Sequence, residues 1–151
     1  MESIAEEAVS CFREGFNCSQ AVFSTYCELF GLDRKTALKI ATPFGGGMRK
    51  GEVCGAVAGA LMIIGLKQGQ SASSDHEVKE NAYALTRDFM DEFKLRNGSF
   101  ICGELLGLDI STNEGRNLAR EKGLFNTVCT TFVREAAEIV EKMLMLEDLM
   151  I

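Results

Sequence analysis

The near absence of proline constrains this chain more than any other feature of its sequence. Among 151 residues there is one proline, Pro43, and proline is the residue that most strongly interrupts a helix. Helix-forming residues fill most of the chain, and no segment sustains the alternation of apolar and polar side chains that a half-buried strand requires. The sequence therefore predicts an all-α fold.

Glycines and capping residues divide the chain into seven or eight predicted helices. The first is expected over residues 3–14. Asn17 and Gln20 have the spacing of a capping box that begins the second helix, and Asp33 is placed to cap a third that ends before the proline. The short connections predict a single-domain helical bundle or array that covers residues 1–151. The remaining helices are expected over 51–67, 73–97, 99–106, 113–123 and 127–151.

Charge and apolar content exclude several classes of partner. A net charge of −6 repels phosphate backbones, so no nucleic acid is expected to bind. The N-terminus lacks the basic start and apolar run of a signal peptide, and the longest apolar stretch, 53–66, is too short for a membrane span.

We therefore expect a cytoplasmic protein. In that reducing compartment, cysteines serve more often as ligands, catalytic thiols or core residues than as structural disulfides.

Four of the six cysteines share a position, because each lies in the first turn of a predicted helix. Free backbone N–H groups and the helix dipole stabilise a thiolate there, and the thiolate is the reactive and ligating form. Cys11 and Cys27 instead lie inside helices among apolar neighbours, so we expect them to be inert core residues. The four candidate site residues are Cys18, Cys54, Cys102 and Cys129.

The spacing of these cysteines excludes two common kinds of site. The sequence contains no C-x-x-C dithiol and no zinc knuckle of closely spaced cysteines. Because the four come from different helices, any shared site exists only in the folded chain. They either exchange disulfides in pairs or together ligate an iron–sulfur cluster or zinc. A third alternative is an interaction protein whose cysteines are inert.

Three consecutive glycines, Gly45, Gly46 and Gly47, precede the fourth predicted helix. With the nearby Arg49 they are candidates for binding a cofactor or another anion, because consecutive backbone N–H groups form anion-binding nests. The alternative is a turn that only redirects the chain. The cations at 49 and 50 either lower the pKa of nearby thiols or keep the loop solvated. Since Cys54 follows them, we expect it to be the most acidic cysteine and Cys11, without a nearby cation, to be unreactive.

Small residues run along the fourth predicted helix, which contains Gly55 and Gly59 with alanines at 56, 58 and 60. A glycine inside a helix costs roughly 1 kcal/mol relative to alanine, so something must compensate. Close packing against a neighbouring helix is one explanation, and a ligand site beside the helix is the other.

The last predicted helix ends in an apolar run that is wider than one face of a surface helix. Because such a run is normally covered by another surface, we expect a homodimer that uses it. The run consists of Met143, Leu144, Met145, Leu146, Leu149, Met150 and Ile151.

The order of the cysteine motifs resembles a known bacterial and archaeal family, the redox-active proteins named for their C-GCAxxG-C-C pattern. The resemblance covers nearly the whole chain. It implies that the four candidate cysteines are the family's signature residues and that they exchange electrons with a redox partner protein. One departure is Ala56-Val57 after the second signature cysteine. The motifs are NCSQAV from Asn17, FGGGM from Phe44, GEVCGAVAGA from Gly51, CGELLG from Cys102, and the isolated Cys129.

Overall fold

The computed structural model describes residues 3–144, and within that range the chain forms eight α-helices and no sheet. The predicted all-α fold is therefore confirmed. None of the described helices combines the length and apolar character needed to cross a membrane. The helices are α1 (Ile4–Arg13), α2 (Cys18–Tyr26), α3 (Arg34–Ala41), α4 (Gly55–Gln68), α5 (His76–Asn97), α6 (Cys102–Leu106), α7 (Asn113–Glu121) and α8 (Val128–Met143).

Side-chain caps define the beginnings of α2 and α3 as predicted. The Asn17 side chain accepts a hydrogen bond from the N–H of Gln20, whose side chain accepts one from the N–H of Asn17, both at 2.9 Å. Asp33 accepts a hydrogen bond from the N–H of Thr36 at 3.0 Å. Each cap supplies partners for N–H groups that a helix leaves free in its first turn.

The fourth helix begins later than predicted because the backbone before it forms a left-handed turn. Gly46, Gly47, Met48 and Arg49 all have positive φ angles, between 57° and 63°. Glycine adopts this conformation freely, whereas a residue with a Cβ atom loses roughly 1–2 kcal/mol. A right-handed helix cannot continue through this left-handed turn, so α4 begins at Gly55 and not at residue 51 or 52.

A short antiparallel contact joins the segments that lead into α4 and α6. The N–H of Cys54 donates to the carbonyl oxygen of Phe100 at 2.8 Å, and the N–H of Cys102 donates to that of Glu52 at 2.6 Å. These two hydrogen bonds flank an isolated β-bridge. Because the backbone is extended there, the helix predicted from residue 99 begins only at Cys102.

The small residues of α4 allow close packing against α2. A Cβ atom on Gly59 would lie 2.7 Å from the carbonyl oxygen of Ser19 and 3.2 Å from the Cβ atom of Val22. Close helix packing therefore explains this glycine without a ligand. The buried residues of α4 are Gly55, Ala56, Val57, Gly59, Ala60, Ile63 and Ile64.

Buried side chains form two clusters of different size. The larger cluster is the main core, and it includes residues of α1, α2, α4, α5 and α8. The smaller cluster lies around α6, α7 and the segment between them. Its buried members are Cys102, Leu106, Ile110 and Ala119.

The final helix, α8, ends at Met143. The rest of the helix predicted over 127–151, from residue 145 onward, lies outside the described residues, and so does most of the apolar run proposed for dimer formation. The homodimer stays a prediction.

Candidate functional site

A cavity of about 500 Å³ opens where the two clusters meet. The structure brings all four candidate cysteines to its wall, and each is a free thiol. Cys18 and Cys54 belong to the side of the main core, whereas Cys102 and Cys129 belong to the smaller cluster. The cavity is lined by Phe12, Asn17, Cys18, Thr42, Pro43, Gly45, Gly46, Arg49, Cys54, Cys102, Leu105, Leu106, Ile110, Arg116, Arg120, Phe125, Cys129 and Phe132.

Cys18 is the first residue of α2, and the capping box defines its place. Asn17 also donates from its side-chain nitrogen to the carbonyl oxygen of Thr42 at 2.9 Å, which ties the start of α2 to the end of α3. Gln20 donates to the hydroxyl oxygen of Thr42 at 3.0 Å. The cap therefore holds Cys18 beside the left-handed turn.

The sulfur of Cys18 lies between the N-termini of two helices. It contacts the backbone at Gly55, where any Cβ atom would overlap it. Burial raises the pKa of the Cys18 thiol, and the backbone N–H groups of Gly46, Ser19 and Ala56 oppose that rise only in part. These donors favour a thiolate, but desolvation has the larger effect.

Cys54 and Cys102 are positioned together by the antiparallel contact. Side chains alternate between the two faces of extended backbone, so residues that directly follow the two bridged positions share one face. Cys54 and Cys102 are those residues, and both line the cavity. They are also the most buried of the four, with 4% and 7% of each residue exposed.

Cys129 is the second residue of α8 and is partly exposed, as is Cys18. Its N–H donates to the carbonyl oxygen of Leu124 at 3.1 Å. Thr127 precedes α8 but makes no side-chain cap, because its hydroxyl donates instead to the carbonyl oxygen of Gly123 at 2.8 Å.

All four cysteines lie at helix N-termini, although one is not in a first turn. Cys18 and Cys102 are the first residues of their helices, Cys129 is the second, and Cys54 is the residue immediately before α4. The structure thus differs from the sequence prediction at Cys54, because the left-handed turn delays the start of α4.

Burial raises the pKa of all four thiols. It raises the pKa of Cys102 and of Cys129 to about 12, and it moves the pKa of Cys18 and of Cys54 in the same direction. Charge repulsion from Cys18 is the next cause of the raised pKa at each of the other three. The expectation that Cys54 is the most acidic cysteine is therefore wrong, since its side chain is buried.

These raised values predict that the reduced protein loses stability at alkaline pH. A thiol with an ordinary pKa of 9.0 that rises to about 12 on folding holds its proton longer in the folded chain, so the free energy of unfolding falls above about pH 9. The expected loss is about 1.4 kcal/mol per pH unit for each such thiol, with no loss from these thiols below pH 8 or so. Urea unfolding under reducing conditions at neutral pH and at about pH 10 measures it.

The matched control is the double variant Cys102→Ser/Cys129→Ser. Serine does not titrate in this range, so its free energy of unfolding should fall less between about pH 9 and 10. Identical pH slopes in the two proteins would contradict the raised pKa values of these two thiols.

The other two cysteines lie away from this cavity. Cys27 is fully buried, and its thiol donates to the carbonyl oxygen of Ser24 at 3.2 Å. Cys11 also belongs to the main core, but Arg34 donates to its sulfur at 3.5 Å. The predicted core positions are confirmed, while the expectation that Cys11 has no nearby cation is wrong because α3 brings Arg34 against α1.

The glycine loop contributes to the cavity unevenly. Gly45 and Gly46 line it together with Arg49, whereas Gly47 is buried and does not. A Cβ atom on Gly45 would lie 2.6 Å from Cβ of Asn17, so this glycine is needed for the cap to approach the loop. The N–H of Gly46 acts on the sulfur of Cys18, which gives the loop a role at the thiol.

Sequence reasoning missed two arginines of α7, Arg116 and Arg120, which line the cavity. Their spacing carried a signal, because like charges four residues apart lie on one face of a helix and repel each other. What the spacing could not show is that this face of α7 borders the cysteines.

The zinc or iron–sulfur alternative requires several ligands close to one ion. Within residues 3–144, no group of three or more His, Cys, Asp or Glu side chains lies close enough to hold a metal ion. The cysteines as placed in the described part of the chain do not form a ready-made metal site, and metal binding stays an untested alternative.

Fold and cavity together define a class: a helical protein in which four thiols from different helix N-termini face one cavity. Residues 16–143 match the family described as putative redox-active proteins with the C-GCAxxG-C-C cysteine pattern. The match covers most of the chain, and the protein belongs to this family, as its motifs predicted. Comparisons with curated proteins and with solved structures found no match.

Proposed function

We propose that this protein is a thiol–disulfide redox carrier that uses Cys18, Cys54, Cys102 and Cys129. The observation that carries the proposal is the convergence of four free thiols on one cavity wall. When two of these thiols form a disulfide, they release two electrons and two protons to an oxidant. A reducing cytoplasm is the compartment in which such a carrier would return to the dithiol form.

Cys18 and Cys54 form the first pair in this proposal. The sulfur of Cys18 lies against Gly55, the residue next to Cys54, and Cys18 is the main electrostatic neighbour of Cys54. As a residue Cys18 is half-buried whereas Cys54 is buried, and the proposal assigns the first contact with the oxidant to Cys18. Cys54 then attacks the oxidised sulfur from inside the core and completes the disulfide.

Cys102 and Cys129 form the second pair. Both pack in the smaller cluster, and again one is buried while the other is partly exposed. Each pair would therefore contain one thiol that meets the oxidant and one that resolves the intermediate. Two pairs on one wall give the protein a capacity of four electrons.

The proposal is tested by oxidising the reduced, folded protein in steps and mapping its disulfides by mass spectrometry. The first disulfide should join Cys18 to Cys54, and Cys11 and Cys27 should be alkylated only after unfolding. A first disulfide that includes Cys11 or Cys27 would contradict the proposal. Stoichiometric metal bound by the cysteines of protein purified without oxygen would contradict it as well.

A further inference from the structure

The cavity wall carries a charge opposite to that of the whole chain. The chain has a net charge of −6, yet three arginines and no aspartate or glutamate line this cavity. Arginine is the side chain best suited to bind carboxylate and phosphate groups. The three are Arg49, Arg116 and Arg120.

Within the described part of the chain, the side-chain hydrogen bonds of the two α7 arginines go to neutral oxygen atoms. Arg116 donates to the carbonyl oxygen of Ile110 at 2.9 Å and to the side-chain oxygen of Asn113. Arg120 donates to the side-chain oxygen of Asn117 at 3.0 Å. Such bonds orient a guanidinium group without neutralising its charge. The ion pairs of the described chain instead involve Arg96 with Glu92 and Arg134 with Glu6.

Each cavity arginine is also held at a local cost. Arg49 has a φ of 57°, which disfavours a residue with a Cβ atom by roughly 1–2 kcal/mol. Arg116 and Arg120 are four residues apart on α7, where like charges destabilise the helix. An anion bound between them would offset the repulsion, because it supplies the missing opposite charge.

Much of the rest of the wall is apolar, and the volume of the cavity suits a small organic molecule. Ligand cavities in proteins commonly have volumes of about 300–1,000 Å³, and this one has about 500 Å³. A bare inorganic anion would leave most of it unfilled. The apolar lining consists of Leu105, Leu106, Ile110, Phe125 and Phe132, together with Phe12.

We propose that the oxidant of this cavity is a small organic disulfide that carries carboxylate groups. The arginines hold the carboxylates, the apolar wall covers the body of the molecule, and its S–S bond faces Cys18. This inference rests on the proposed function, to which it adds the class of substrate.

The reaction balances as two exchange steps. The sulfur of Cys18, as thiolate, attacks the disulfide R–S–S–R, which forms a mixed disulfide and releases one R–SH after protonation. The thiol of Cys54 then attacks Cys18 in the mixed disulfide and releases the second R–SH. The protein loses two electrons and two protons, and the small disulfide gains both.

Three small disulfides of different charge test the proposal, and each rate is divided by that compound's rate with a simple thiol to remove differences in leaving-group pKa. Dithiodiglycolate is a dianion, bis(2-hydroxyethyl) disulfide is neutral and cystamine is a dication. Reduced protein should react with the dianion about tenfold faster than with the neutral compound, and slowest with the dication. This preference should shrink as salt is added, because salt screens charges.

Paired substitutions assign the preference to the cavity. The double variant Arg116→Gln/Arg120→Gln should lose most of the preference for the dianion. The control Arg87→Gln/Arg96→Gln removes the same charge from α5, outside the cavity, and should keep it. Equal loss in both double variants would overturn the proposal, since net charge alone would then explain the rates.

Adipate separates binding from redox chemistry, because it has the shape of dithiodiglycolate without the S–S bond. Calorimetry should detect adipate binding to the reduced protein and its loss in Arg116→Gln/Arg120→Gln. If the neutral disulfide oxidises Cys18 as fast as the dianion and adipate does not bind, the substrate class is wrong while the redox function stands. If no disulfide oxidises the cavity thiols, the redox function itself fails.

Discussion

Replacing Cys18 with serine should slow the oxidation of Cys54 by about a hundredfold or more, because a serine hydroxyl cannot replace the thiolate in disulfide exchange; Cys102 and Cys129 should still form their disulfide. We expect this large effect because Cys18 lines the cavity and is half-buried. It is also the main electrostatic neighbour of the three other cavity thiols. The rate is measured by alkylating the remaining thiols at intervals after addition of a small disulfide and quantifying unoxidised Cys54 by mass spectrometry.

The control for this variant is Cys27→Ser. Cys27 is fully buried in the main core, and its thiol donates to the carbonyl oxygen of Ser24 at 3.2 Å, a bond that a serine hydroxyl would also make. This variant should fold and oxidise at the normal rate. If Cys54 is oxidised in Cys18→Ser protein as fast as in Cys27→Ser protein, Cys18 is not the thiol that attacks the oxidant.

Replacing Gly59 with alanine should destabilise the protein by about 2 kcal/mol, because overpacking of a tight interface costs about 1–3 kcal/mol. The added Cβ atom would lie 2.7 Å from the carbonyl oxygen of Ser19 and 3.3 Å from the backbone nitrogen of Phe23. Both atoms belong to the backbone of α2, so neither can move without moving the helix that carries Cys18. Urea or thermal unfolding of the reduced protein measures the change.

The same substitution elsewhere in α4 should have the opposite sign. A Cβ atom on Gly65 would meet nothing within 4 Å. Gly65→Ala should therefore stabilise the protein by about 0.5–1 kcal/mol, because alanine favours the helix and restricts the unfolded chain. If the two variants changed stability equally, helix propensity would explain both, and the close approach of α2 to α4 would lose its support.

Disulfide mapping tests which cysteines react, and the unfolding measurements test how closely α2 packs against α4. The mapping follows the sulfur atoms, whereas the Gly59 and Gly65 variants test the helix crossing that positions one of them. A displaced α2 should impair formation of the Cys18–Cys54 disulfide even though Gly59 itself does not line the cavity. Gly59→Ala protein that remains folded should therefore form this disulfide more slowly than Gly65→Ala protein.

Local sequence determined the fold class and most helix beginnings. With a single proline and no strand periodicity, the chain has little alternative to helices, and the caps at Asn17 and Asp33 act within three residues of themselves. Core positions for Cys11 and Cys27 also followed from local pattern, because a small apolar side chain inside an amphipathic helix is normally buried. These features depend on residues that are close to one another in the sequence.

The beginnings of α4 and α6, next to Cys54 and at Cys102, could not be predicted in this way. Their beginnings depend on two hydrogen bonds between segments almost fifty residues apart, and on a left-handed turn that includes Arg49, a residue with no local preference for it. Sequence patterns report local preference. Hydrogen bonding between segments that far apart in the sequence depends on how the helices between them pack.

Sequence alone thus determined an all-helical protein with four cysteines at helix N-termini and two in the core. Only the tertiary structure decided that those four share a cavity, that burial raises their pKa values, and that Arg116 and Arg120 lie beside them. The physical reason is that pKa and charge complementarity depend on desolvation and on distances through space. Neither quantity is set by a residue's neighbours along the chain.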